Sequence, residues 1–87
     1  MRELNKKITL ACEVLKLSAR ITNNSVTDVF CEFSAHVNCL SVRVLLNGWN
    51  SEYKKPDYYK IIYLDRADVK DLEELTMYLK ELERKVA

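Results

Sequence analysis

Apolar residues recur along this chain with two different periods, and the switches between them mark out five elements. From Arg2 to about Asn23 the period is helical. Leu4, Ile8, Ala11, Leu15 and Ser18 form one stripe, and Leu10, Val14, Leu17 and Ile21 form a second beside it. At about 100° per residue the two stripes cover roughly half the circumference, more than packing on one sheet requires. Either this helix touches both a sheet and a second helix, or one stripe meets another protomer. Asn23-Asn24-Ser25 then stops the helix with turn-forming residues.

The period drops to two over residues 26–47, which predicts two antiparallel strands. Val29, Cys31, Phe33 and Ala35 alternate with Phe30, Glu32, Ser34 and His36. After a turn at His36-Val37-Asn38-Cys39, Leu40, Val42, Val44 and Leu46 alternate with Ser41, Arg43, Leu45 and Asn47. The all-apolar sets are expected to face the helices. Asn47-Gly48 has hairpin chemistry, but no strand follows at once. Residues 49–57 intervene, about twice the common loop length. Tyr58 to Leu64 reads as the third strand, with Tyr58, Lys60, Ile62 and Leu64 on one face and Tyr59, Ile61 and Tyr63 on the other.

Asp65 is the expected N-cap of the second helix, with Asp68 three residues on in the manner of a capping box. That helix is expected to run to about Val86. Leu72, Leu75, Leu79, Leu82 and Val86 alternate by three and four residues. The seam spans only two heptads, so it suits core packing rather than a coiled coil. Acids crowd its first half and Lys80, Arg84 and Lys85 its end, as the helix dipole favours. The fold class is therefore α+β, a helix, a three-stranded antiparallel sheet and a helix (αβββα), in a single domain over residues 1–87. Both helices on one face of the sheet is the preferred arrangement; one helix on each face is the alternative.

Composition narrows the function classes. Eighty-seven residues suffice for one modest core. A net charge of +1 supplies no global basic field for nucleic acid or anionic membranes. One glycine excludes a phosphate-cradling glycine loop. No run approaches the ~20 apolar residues that span a bilayer. The first residues lack the apolar core of a signal peptide, and the three cysteines are an odd number. These features predict a cytoplasmic protein with reduced thiols.

Candidate chemistry is thin. Cys31, His36 and Cys39 lie close in sequence, but their spacing is no zinc knuckle, and Cys31 and His36 are predicted on opposite strand faces. No metal, no cofactor and no catalytic set are expected, and the chain is read as a non-enzyme. The element order resembles the double-stranded RNA-binding domain, which meets phosphates with a basic cluster at the start of its second helix. Here that helix opens Arg66-Ala67-Asp68-Val69-Lys70-Asp71-Leu72-Glu73-Glu74, and its acids repel phosphate. Lys54 and Lys55, with Trp49 and Tyr53, remain able to hold a strand by charge and stacking.

What stands out is the sheet face opposite the helices. It is expected to show Phe30, Glu32, Ser34, His36, Arg43, Leu45, Tyr59, Ile61 and Tyr63, with Trp49 and Tyr53 in the adjoining loop. Such aromatic, aliphatic and arginine sets typify interfaces. The candidate partner-binding residues are Trp49, Tyr53, Tyr59, Tyr63, Arg43, Phe30, Lys54 and Lys55.

The stretch from Ala35-His36-Val37-Asn38-Cys39-Leu40-Ser41-Val42-Arg43-Val44, then Asn47-Gly48-Trp49, then Ile62-Tyr63-Leu64-Asp65, resembles a group of small, mostly uncharacterised proteins of phages and prophages of Gram-positive bacteria. That group shares a His-Val turn, a Gly-Trp after the next strand and an Ile-Tyr-Leu-Asp entry to the last helix. Where it often has Gly before His, this chain has Ala35. The resemblance implies a non-enzymatic protein of a mobile element, in the cytoplasm of a bacterial host, that binds and inhibits a host protein such as a CRISPR–Cas defence effector. A nucleic-acid-binding module and a homodimeric structural or regulatory protein are the alternatives.

Overall fold

The computed structural model describes residues 2–50, 52 and 55–86, with side chains from residue 4 onward. Helix α1 (Arg2–Asn24) leads into strand β1 (Asp28–Ser34), a short 3-10 turn (Ala35–Val37), strands β2 (Cys39–Leu45) and β3 (Tyr58–Tyr63), and helix α2 (Val69–Val86). The fold is α+β with the expected αβββα order. The strands form one antiparallel sheet in the order β1-β2-β3.

Register decides which residues share a face. Val29 pairs with Val44, Cys31 with Val42 and Phe33 with Leu40, while Val42 pairs with Lys60 and Leu40 with Ile62. Of that set, Val29, Leu40, Val42, Val44 and Ile62 are core residues, clustered with Val14, Leu17 and Ile21 of α1 and Leu72, Leu75, Leu79 and Leu82 of α2. Both helices therefore lie on one face of the sheet. Tyr58, on that same face, stacks on Tyr78 of α2 at 3.9 Å and 16°, which ties α2 to β3.

The helices run side by side in the same direction. Lys6 approaches Glu73 at 3.6 Å near their first turns, and Arg20 forms a two-pronged 2.8 Å pair with Glu83 near their last. That pair lowers the Glu83 pKa and raises that of Arg20, the hydrogen bond being the main cause. Such exposed pairs orient the helices more than they stabilise them. The buried hydroxyls of Ser18 and Thr76 donate to the carbonyls of Val14 and Leu72 one turn back, each at 2.7 Å.

Helix α1 packs on both α2 and β1, as expected, but its first stripe is covered only in part: Ser18 is buried and Ala11 half-buried, whereas Leu4, Ile8 and Leu15 remain exposed. Two expectations need correction. The second helix starts one turn later than Asp65. Arg66 and Ala67 instead donate their N–H groups to the Tyr63 carbonyl, making a separate turn, and Asp68 is the N-cap. The Asp71 carboxylate reaches back to the Asp68 N–H at 3.1 Å, the reciprocal half of a capping box. The β1–β2 turn ends at Asn38, which takes a left-handed φ of 52°, so that Cys39 is the first residue of β2 rather than the last of the turn. Among the described residues no helix is long and apolar enough to cross a membrane.

Candidate functional site

The face of the sheet away from the helices carries three cross-strand rows. Phe30, Arg43 and Tyr59 form the first; Glu32, Ser41 and Ile61 the second; Ser34, Cys39 and Tyr63 the third. These rows exist because alternation sends every second side chain of each strand to this side. No helix packs against it, and Tyr59, Ile61 and Tyr63 are exposed, Tyr59 to 54%.

Arg43 organises the first row. Its guanidinium lies 4.9 Å from the centre of the Phe30 ring and 3.3 Å from the Glu32 carboxylate. It is thus held over an aromatic ring while about a third of its side chain stays accessible. A second such stack closes the other end of the face, where Arg66 sits 4.7 Å over the Tyr63 ring. Arg66 was not among the sequence candidates. It gains its place from the turn after β3, whose hydrogen bonds converge on the Tyr63 carbonyl.

Trp49 flanks the end of the sheet nearest the first row. The Leu45–Gly48 turn closes with the Gly48 N–H donating to the Leu45 carbonyl at 3.0 Å, and Gly48 takes a φ of +82°. A Cβ there would meet the Val26 carbonyl oxygen at 2.9 Å, so only glycine fits without displacement. The next N–H, that of Trp49, donates to the Asp28 carboxylate at 2.8 Å. This anchors the Trp49 backbone while the residue stays 61% exposed. Asp57 fixes the far end of the connection: its N–H donates to the Val44 carbonyl at 2.9 Å, and its carboxylate accepts from the Leu46 N–H at 2.8 Å. Lys55 is exposed in this connection. Tyr53 and Lys54 lie outside the described residues.

The structure therefore brings Phe30, Arg43, Tyr59 and Tyr63 onto one face, with Trp49 at its end. Two expected members of the face are placed differently. His36 lies in the 3-10 turn rather than on a strand, because β1 ends at Ser34. Leu45 is buried where the Leu45–Gly48 turn meets the returning chain at Asp57. Cys31 and Cys39 project to opposite sides of the sheet, as their pairing with Val42 and Ser34 requires. Burial pushes the Cys31 thiol pKa up. Among the described residues no group of three or more His, Cys, Asp or Glu is placed to hold a metal ion.

No protein-family model, curated protein or solved structure matches this chain.

Proposed function

We propose that this protein is a non-enzymatic binding module whose open sheet face, centred on Phe30, Arg43 and Tyr59, docks on another protein. The observation that carries this reading is the exposure of aromatic and aliphatic side chains in contiguous rows on the sheet face that neither helix packs against. Contiguous exposed apolar surface on a small domain marks an interaction site. Tyr and Arg are the residues that most often dominate such interfaces. Guanidinium groups already stacked on Phe30 and Tyr63 lose little freedom on docking, which lowers the entropic cost of association.

The resemblance to small phage and prophage proteins makes a bacterial host protein the partner, and inhibition of a defence effector such as CRISPR–Cas the outcome. The nucleic-acid reading is weaker. Asp68, Glu73 and Glu74 are exposed at and near the start of α2, where a phosphate-binding domain of this topology needs cations.

The test is capture of partners from a bacterial lysate on the immobilised protein, with and without nuclease. A stoichiometric, nuclease-resistant protein that is lost with Tyr59→Ala/Tyr63→Ala supports the proposal. Recovery of nucleic acid, or a protein retained by that variant with its fold intact, overturns it.

A further inference from the structure

Helix α1 leaves a second, separate surface without a partner, on the helix side of the sheet. Leu4, Ile8, Ala11 and Leu15 follow one another by four, three and four residues, the spacing of a heptad seam. The last three, with Cys12, line an open groove of about 410 Å³ between α1 and the C-terminal half of β1, whose other wall is Cys31, Phe33, Leu40 and Leu64. Among the described residues no charged side chain lines it. Leu4, Ile8, Leu15 and Phe33 are each between 43% and 57% exposed.

Among the described side chains of α1 the charges lie off the seam, Lys16 included, which is exposed one turn beyond Cys12. Lys6, Glu13 and Arg20 recur every seven residues, and two of them pair with Glu73 and Glu83 of α2. Lys7 is buried and donates to the Leu64 carbonyl at 2.9 Å. On the opposite flank of the seam the same spacing gives Asn5, Cys12 and Ala19, all uncharged. A surface of this kind matches an equally neutral, apolar surface. It does not match a phosphate backbone or an acidic membrane.

We propose that a second copy of this chain covers it, α1 against α1, antiparallel about a two-fold axis near Ala11 and Cys12. An axis there sets Ile8 against the second copy's Leu15, Leu4 against its Ala19, and the small Ala11 against its Cys12. Large side chains thus meet small ones or each other without like charges, as a self-complementary contact needs. The area is sufficient. Taking roughly 150–200 Å² for each of these side chains, the exposed fractions of Leu4, Ile8, Leu15 and Phe33 amount to about 300–400 Å² of apolar surface per copy. Homodimer interfaces are about 65% apolar, which implies roughly 500–600 Å² per copy. A total of roughly 1,000–1,200 Å² reaches the lower bound of specific interfaces.

Light scattering on the full chain across a concentration series tests this. The expected mass is twice 10.2 kDa for the wild type and 10.2 kDa for Ile8→Glu and for Leu15→Glu, with far-ultraviolet dichroism unchanged because both positions are exposed. Cys12 is exposed whereas Cys31 is half-buried and Cys39 buried. An axis beside Cys12 brings the two copies' Cys12 thiols together, so copper-catalysed air oxidation joins wild-type copies by a disulfide and fails to join Cys12→Ser. A wild-type monomer at every concentration overturns the proposal, as does a dimer that survives both glutamate substitutions. The sheet-face reading is untouched by either result.

Discussion

Replacing Thr22 by valine removes one oxygen from the junction between α1 and the edge of the sheet. The Thr22 hydroxyl accepts the Val29 N–H at 2.9 Å and donates to the Val29 carbonyl at 3.3 Å. Both backbone groups of Val29 therefore point away from β2, and the hydroxyl stands where another strand would otherwise bond. Valine keeps the shape and has nearly the same helix propensity, so α1 itself is not weakened. The cost is the lost pairing. The 2.9 Å bond is sound and the 3.3 Å one is long, so the N–H dominates. Stranding a buried backbone donor costs ~1–3 kcal/mol; this site is only part-buried, which sets the expectation at about 1–2 kcal/mol. For a domain of this size that is a fall in Tm of roughly 5–15 °C. Thermal and urea melts of Thr22→Val and Thr22→Ser are the assay, with Thr22→Ser losing less than half as much because it retains the hydroxyl. A Thr22→Val protein within about 0.5 kcal/mol of the wild type would refute the reasoning, being no more than an ordinary surface substitution.

Further outcomes follow from other parts of the fold. Gly48→Ala places a Cβ 2.9 Å from the Val26 carbonyl at a φ of +82°, and urea melts are expected to show a loss of about 2 kcal/mol. Burial raises the pKa of Tyr58 and of Tyr78 above that of a free tyrosine, Glu74 adding to the first and Tyr58 and Asp57 to the second. Absorbance titration is expected to show these two ionising at higher pH than a free tyrosine. Their protonated forms favour the folded state, so this contribution is complete below the ordinary tyrosine pKa of about 10 and is lost as pH rises through the folded values. Glu83 behaves oppositely: its folded pKa is depressed by Arg20, so the advantage of wild type over Glu83→Gln is present above the ordinary carboxylate pKa. It disappears as pH falls through the depressed one, as paired melts across acid pH would show.

Much of the fold is legible in the sequence because alternation has a direct physical meaning. The apolar sets at 29–33, 40–44 and 58–62 can face only one layer, and Phe30, Arg43, Tyr59 and Tyr63 then fall together on the other side. The start of α2 is less legible because the chain offers two acidic caps at the same spacing, Asp65 with Asp68 and Asp68 with Asp71. The second prevails, while the chain from Tyr63 to Ala67 turns from the sheet into the helix layer. That same turn sets Arg66 on Tyr63, a contact with no local sequence signal. Both stripes of α1 have helical spacing, and periodicity alone does not choose between them. The joint position of α2 and the sheet buries Val14, Leu17 and Ile21 while Ile8 and Leu15 stay open.

The central claim is that the open sheet face is where a partner binds. The most direct measurement is the affinity of the captured host protein for wild type, for Arg43→Ala/Tyr59→Ala and for Leu15→Glu, each verified as folded by circular dichroism. Two central interface residues of these types are expected to contribute at least ~2 kcal/mol, so the sheet-face variant should bind more than about tenfold more weakly while Leu15→Glu binds as wild type does. Equal affinity of the sheet-face variant and the wild type, or loss of binding only with Leu15→Glu, would contradict the account.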